Sequence, residues 1–291
     1  MRRWPALELR LKKVKSLEIL LGILMDFKVT AVEENNLTSL STFWRVCFHD
    51  ELSRDKAMQV ISNHPSIETL SMSSVTINDN DWVTRSQDRL RAIRVGNIIL
   101  APPWDVPVNP GSMKGSKLYP GNNDPFVIII QPSTGFGTGH HQTTRLSLWA
   151  LQQLDLHGQT LIDVGTGSGV LALAAICLGA DSVVAIDRDS DAILAAEKNL
   201  GLKKTSKITL WNTELKNAVF SPKDFLVSNL SADLLIQEAT KIKNLGKQKL
   251  ILSGFTVSEE AAVLSSFSSW TLQHRIKEDE WVGVVLVNNS Q

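Results

Sequence analysis

The chain has 291 residues, enough for one large domain or two smaller ones, and 43% of them are hydrophobic, which supplies a sizeable core. Its 30 basic residues balance 30 acidic ones, so no global field directs it to nucleic acid or to an anionic membrane. Cys47 and Cys177 lie far apart and in no metal or redox spacing, so they read as buried free thiols of a reducing compartment. The longest early apolar run, Ile19 to Met25, is too short to cross a bilayer. No signal-peptide core follows Met1-Arg2-Arg3-Trp4-Pro5, and the expected location is the cytoplasm.

In chain order, Ala6–Val14 alternates apolar and charged residues as a strand does, and Lys15–Asp26 carries apolar residues at helical spacing. Lys28–Glu33 and Thr42–Phe48 read as strands with Asn35-Asn36 as turn material between them, Glu51–Asn63 as a helix and Ile67–Val75 as a strand. That order, β-α-β-β-α-β, is the ferredoxin-like split unit of a small α+β domain over residues 1–77. Residues 78–125 open on Asn78-Asp79-Asn80-Asp81, with one short helix expected over Trp82–Arg94. Pro102-Pro103, Pro107, Pro110-Gly111, Gly115 and Pro120-Gly121 then mark connecting chain, of which Trp104 suggests that part packs.

From 126 to 291 strand and helix alternate. Strands are expected at Phe126–Gln131, Leu161–Val164, Val183–Ile186, Lys207–Trp211, Phe225–Ser228 and Lys249–Leu252. Helices are expected at Thr143–Leu156, Gly169–Leu178, Ser190–Leu200, Ala232–Lys243 and Ser258–Phe267, and strands 270–276 and 281–287 close the chain as a hairpin. Repeated βα units imply an α/β fold with a doubly wound parallel sheet.

Two segments of this domain carry the chemistry. Leu161-Ile-Asp-Val-Gly-Thr-Gly-Ser-Gly169 is a buried strand running into a glycine turn, and Val183-Val-Ala-Ile-Asp187 is the next strand, ending in a carboxylate. This is the spacing of a nucleoside-binding crevice: the glycines admit a ligand where a Cβ would collide, and Asp187 can accept hydrogen bonds from both ribose hydroxyls. Val170 stands where a dinucleotide fingerprint wants its third glycine. Asp163, two residues before Gly165, would repel a pyrophosphate but suits an ammonium. S-adenosylmethionine has an ammonium, a sulfonium and no phosphate. It is therefore the expected cofactor, with Asp163 toward its ammonium directly or through water, Gly165, Gly167 and Gly169 under its methionine and ribose, and Asp187 on the ribose.

Thr134-Gly-Phe-Gly-Thr-Gly-His-His-Gln-Thr-Thr144 is a second glycine-rich loop, opening a helix with hydroxyls. Thr143 or Thr144 is expected either to reach the methionine carboxylate or only to cap the helix. His140 and His141 have no Cys, Asp or Glu within three residues, so no metal site is expected. A hydrogen-bonded or solvated pair is the preferred reading over a general base. Asn229 ends the strand Asp224–Asn229 at the edge that faces the ligand, where its amide can orient an amine. No stacking aromatic follows it, which argues against a nucleic-acid base as substrate.

On Phe136–Thr144, Asp163–Ala172, Ala185–Asp187, Ser228–Leu230 and Leu252–Gly254, with Asp81-Trp82 and Trp104 in the linker, the chain resembles the PrmA family, methyltransferases of ribosomal protein L11. The resemblance implies a Rossmann-like class I methyltransferase fold with a C-terminal antiparallel hairpin, behind a substrate-recognition domain at residues 1–77. It carries the family's cofactor positions onto Thr144, Gly165, Asp187 and Asn229. It implies methyl transfer from S-adenosylmethionine to lysine or N-terminal amines, with ribosomal protein L11 as partner and Asn229 as the catalytic candidate. The chain departs from the family pattern at His140 (usually threonine), Gln142 (usually proline) and Leu230-Ser231 (usually Ile-Leu). Alternatives are a lysine methyltransferase of another protein, a small-molecule methyltransferase, and an inactive nucleoside-binding protein. A nicotinamide-dependent oxidoreductase is disfavoured by the glycine spacing and Asp163. The sequence is silent on oligomeric state and compatible with a monomer.

Overall fold

The computed structural model describes residues 3–12, 20, 24, 27, 29–38, 41–64, 67, 69–78, 90–122, 124–132 and 140–289. It divides into two compact units, Met1–Arg89 and Leu90–Gln291.

The first unit holds β1 (Arg3–Lys12), β2 (Val29–Thr38), β3 (Ser41–Phe48), α1 (Glu51–Asn63) and β4 (Thr69–Asn78). The sheet runs β2-β3-β1-β4 with antiparallel neighbours, the order of the split unit expected from the sequence. Alternation in β1 and β3 sends Leu7, Leu9, Leu11, Trp44, Val46 and Phe48 into one core with Ala57 and Ile61 of α1. Each such aliphatic side chain, removed from water, contributes roughly 1.5–3 kcal/mol. Asp50 caps α1, its carboxylate accepting from the Ser53 amide at 2.7 Å. Asn35-Asn36 is not the turn: β2 continues through both, pairing with Phe43 and Thr42, and Thr38 and Ser41 close the ladder after a register shift. Polar residues at a strand end keep their ladder bonds when the partner strand is long enough. The helix expected over Lys15–Asp26 lies mostly outside the described residues, although Leu20 and Leu24 are helical and buried.

The second unit begins earlier than the composition suggested. Ile93–Val95 (β5) and Ile98–Ala101 (β6) form a hairpin around Gly96, and β6 pairs in parallel with β7 (Phe126–Ile129). Val95, Ile98, Leu100 and Ile128 join the main core, so residues 90–125 belong to this unit instead of linking two. The surrounding prolines and glycines disguised a short apolar hairpin. Its presence also removes the end of the helix expected at Trp82–Arg94, whose residues 82–89 lie outside the described ones. Trp104 does pack, donating to the Leu90 carbonyl at 3.3 Å.

The large sheet runs β10-β9-β8-β11-β12-β14-β13. Its strands are β8 (Thr160–Val164), β9 (Ser182–Asp187), β10 (Ile208–Asn212), β11 (Lys223–Asn229), β12 (Gly246–Thr256), β13 (Trp270–Glu278) and β14 (Trp281–Asn288). The first five in that order are mutually parallel, and β14 enters antiparallel between β12 and β13. The helices are α2 (Gln142–Leu151), α3 (Val170–Cys177), α4 (Ser190–Lys203), α5 (Ala232–Gln237), α6 (Ala239–Leu245) and α7 (Glu260–Ser266). One face of the sheet, including Leu161, Val227, Ile251 and Val285, packs with Leu148 of α2 and Leu171 of α3. The other, including Ile162, Leu226, Leu250 and Val284, packs with Leu235, Ile242 and Val263 of α5–α7. Burial on both faces explains why these strands read as unbroken apolar runs. Two helices differ from expectation: α2 stops at Leu151, and Ala232–Lys243 is two helices that part at Glu238.

Candidate active site

Five parallel strands deliver their carboxyl ends to one edge of the sheet, where ligands bind in doubly wound folds. A cavity of about 710 Å³ runs along that edge, within the ~300–1,000 Å³ typical of small-molecule sites. Its wall includes Gly165, Gly167, Asp187, Thr144, Asn229 and Trp281, contributed by the β8 turn, β9, α2, β11 and β14.

The turn after β8 is fixed by its own main chain. The amides of Gly165 and Thr166 both donate to the Ile186 carbonyl, at 2.9 and 3.0 Å. Gly165 has φ +75°, a conformation that favours glycine, and a Cβ there would stand 2.6 Å from Leu230 Cδ2, which would have to move. Gly254 answers the same need on β12: at φ +99° its Cβ would fall 2.2 Å from the Leu230 carbonyl oxygen. Asp187 closes the turn from the other side. Its Oδ2 accepts from the Gly167 amide at 2.9 Å and its Oδ1 from the Asp189 amide at 3.0 Å. The cap of α4 is Asp189, leaving Asp187 on the cavity wall.

Of the seven cofactor positions expected from the sequence, the structure brings five to this cavity: Thr144, Gly165, Gly167, Asp187 and Asn229. Asp163 and Gly169 are not among its lining. Gly169 is the N-cap of α3, at φ +80° against Ala196 and Leu200 of α4. Asp163 is completely buried beneath the turn, its Oδ2 accepting from Thr166 Oγ1 at 2.7 Å and from the Ala172 amide at 3.1 Å. Burial, with the nearby Asp187 charge, raises its pKa to about 7 despite those two bonds. Its Oδ1 is buried with no hydrogen-bond partner. The residue braces the turn; it does not present a surface to the cavity.

At the α2 end, the cap is His141, not a threonine. Its Nδ1 accepts from the Thr143 amide and lies 2.8 Å from Thr143 Oγ1. Burial, then the Arg145 charge, lowers its pKa, and a neutral ring whose Nδ1 accepts carries its proton on Nε2. Thr144 Oγ1 lies 3.4 Å from Asn229 Nδ2, which joins α2 to the end of β11. His140 Nε2 meets the Arg91 carbonyl oxygen at 3.0 Å. The glycine-rich part of this loop, residues 133–139, lies outside the described residues. Among the described residues no cluster of His, Cys, Asp or Glu could hold a metal, and no helix is long and apolar enough to cross a membrane.

Sequence reading missed Trp281, and named Leu230 only within the family resemblance. Trp281 opens β14 opposite Thr256 of β12, so an antiparallel strand brings it to the same edge as the parallel carboxyl ends. The sign available in the sequence was a tryptophan directly after the hairpin turn, and it needed the strand order to interpret.

A five-strand parallel run, an antiparallel strand inserted next to the far edge, and a glycine turn facing a strand-end carboxylate together define the class I methyltransferase fold. The family described as ribosomal protein L11 methyltransferase (PrmA) matches residues 23–289. The chain belongs to that family. It is similar to the ribosomal protein L11 methyltransferase of Caldicellulosiruptor saccharolyticus, 33% identical over 68% of this chain and 62% of that one. It is similar also to that of Bacillus cereus, 30% identical over 73% and 66%. These matches span just under two thirds of the relatives' length. The crystal structure of the ribosomal protein L11 methylase from Lactobacillus delbrueckii subsp. bulgaricus superposes with a TM-score of 0.57 at 27% identity, over 68% of this chain and 97% of that chain.

Proposed function

We propose that the protein is an S-adenosylmethionine-dependent methyltransferase that methylates lysine side-chain or N-terminal amines of ribosomal protein L11. The observation that carries the reading is Asp187 on the cavity wall beside a turn whose positive φ at Gly165 favours glycine. A methyl donor of this kind fits the residues present. Asp187 is a carboxylate acceptor for two vicinal hydroxyls, Gly165 and Gly167 allow close approach, and Thr144 with Asn229 offers a hydroxyl and an amide to a carboxylate or an amine. Bound there, the donor supplies an electrophilic methyl on sulfur: the amine's N–C bond forms as the C–S bond breaks, and the electron pair stays on sulfur.

The chain's own task is to hold the amine in line and without its proton. A lysine of pKa about 10.4 is mostly charged at neutral pH, and an uncharged, desolvating wall favours the amine form. Thr144, Asn229, Leu230 and Gly254 make such a wall. His141 holds its proton on Nε2 and its Nδ1 in the helix cap, so it does not act as base; the ammonium proton leaves to solvent before transfer. Asn229 orients the nitrogen. The family's substrate and the small α+β first unit favour a protein acceptor over a small molecule. Mass spectrometry of ribosomal protein L11 after incubation with the protein and S-adenosylmethionine tests this. The expected result is added methyl groups on lysine or the N-terminus; an unmodified L11 beside an enzyme that methylates another protein would replace the partner.

A further inference from the structure

Trp281 and His141 line the cavity together, their rings edge-on with centroids 4.8 Å apart and planes at 71°. Between Asp187 on β9 and Trp281 on β14 lie β8, β11 and β12. At ~4.8 Å per strand that is on the order of 19 Å. A donor held by its ribose at Asp187, with its amino-acid end over the Gly165 turn, leaves the β12–β14 end to the acceptor.

This end is braced from outside the cavity. Arg145 of α2 grips the Glu278 carboxylate with Nε at 3.1 and 3.0 Å and Nη2 at 2.7 Å, and Tyr119 Oη donates to Glu278 Oε2 at 2.6 Å. Arg145 also donates from Nη1 to the His140 carbonyl. Gln142 Nε2 donates to Asp279 Oδ2 at 3.3 Å. One half-buried ion pair thus fixes both the hairpin turn that ends at Trp281 and the stem that carries His141.

Resting on the reading above, we propose that Trp281, with His141 packed against it, is the acceptor wall: it takes the methylene stem of an unbranched primary amine such as a lysine side chain. The Arg145–Glu278–Tyr119 cluster is its positioning brace. The indole offers a flat apolar face to the stem and a π-face to the nitrogen while it is still cationic. Trp281 and His141 themselves carry no carboxylate, so this pair favours alkyl length without an ion pair to the amine.

The test uses the full chain with ribosomal protein L11 as acceptor and compares Trp281→Leu, Trp281→Phe, Glu278→Gln and the Trp281→Leu/Glu278→Gln pair. Affinity for S-adenosylhomocysteine is measured by calorimetry beside steady-state kinetics. Trp281→Leu is expected to raise the acceptor KM about ten-fold, with S-adenosylhomocysteine affinity within about two-fold, and Trp281→Phe to recover most of the loss. Glu278→Gln is expected to raise the same KM less, and the pair to show less than the summed effect, because both act on one wall. An unchanged acceptor KM in Trp281→Leu, or an equal loss of S-adenosylhomocysteine affinity, overturns the proposal. Summed, independent effects in the pair overturn the brace. A wild-type chain that methylates no amine of L11 removes the reading above and this inference with it; methylation that ignores Trp281 removes this inference alone.

Discussion

The two ends of the cavity are built from different materials. The β8–β9 end is organised by a main-chain turn: amides of Gly165 and Thr166 on the Ile186 carbonyl, the Gly167 amide on the Asp187 carboxylate, and Asp163 locked beneath. The β11–β14 end is side chains converging from α2, β11, β12 and β14, drawn from positions as far apart as His141 and Trp281. A rigid backbone cradle suits a ligand that never changes. A side-chain wall can be retuned for a new acceptor while the cradle stays as it is.

The largest expected effect sharpens the cradle. Gly165→Arg places a Cβ at a position 2.6 Å from Leu230 Cδ2 and a long side chain in the cavity, so S-adenosylhomocysteine binding by calorimetry should fall below detection. Retained binding would mean that the turn does not touch the ligand. Next, Asn229→Ala should separate the two ends. Turnover is expected to drop about ten-fold, the cost of one lost hydrogen bond at the reacting nitrogen, while donor affinity changes less than about three-fold. If both fell together, Asn229 would belong to the donor end.

A smaller effect concerns Asp163. Its native pKa of about 7 lies above its ordinary value of 3.8, so between those values the folded state holds a proton that the unfolded chain has lost. The sign follows: this group's contribution is complete below about pH 4 and is lost as pH rises through 7. Asp163→Asn keeps an acceptor for Thr166 and Ala172 but cannot ionise. Its melting temperature relative to the wild type should therefore rise between pH 5 and pH 8, by several degrees. A flat difference would show that the carboxyl is ionised at no cost.

The same contrast explains what could be read in the sequence. The cradle was legible because a main-chain turn leaves a local signature: three glycines, a preceding acid, and a carboxylate ending the next strand. The doubly wound order and the closing hairpin were legible from strand–helix alternation. The far wall was not, because Trp281 reaches the site only through the antiparallel insertion of β14, and no local spacing encodes that. Asp163 shows the converse: its position in the motif was legible, while the burial of its side chain beneath the bend needed the structure. Short elements were hidden where composition misled, as β5 and β6 were among the prolines, and Asn35-Asn36 was mistaken for a turn although the ladder continues through it.

The central claim is that Asp187 holds the sugar of an adenosyl ligand against the glycine turn. Titration of S-adenosylhomocysteine into the wild type and Asp187→Ala measures it directly. The wild type should bind at one site, and the variant about 100-fold more weakly, the equivalent of roughly two charge-assisted hydrogen bonds. Equal affinity in the two proteins, or no binding to the wild type, would contradict it.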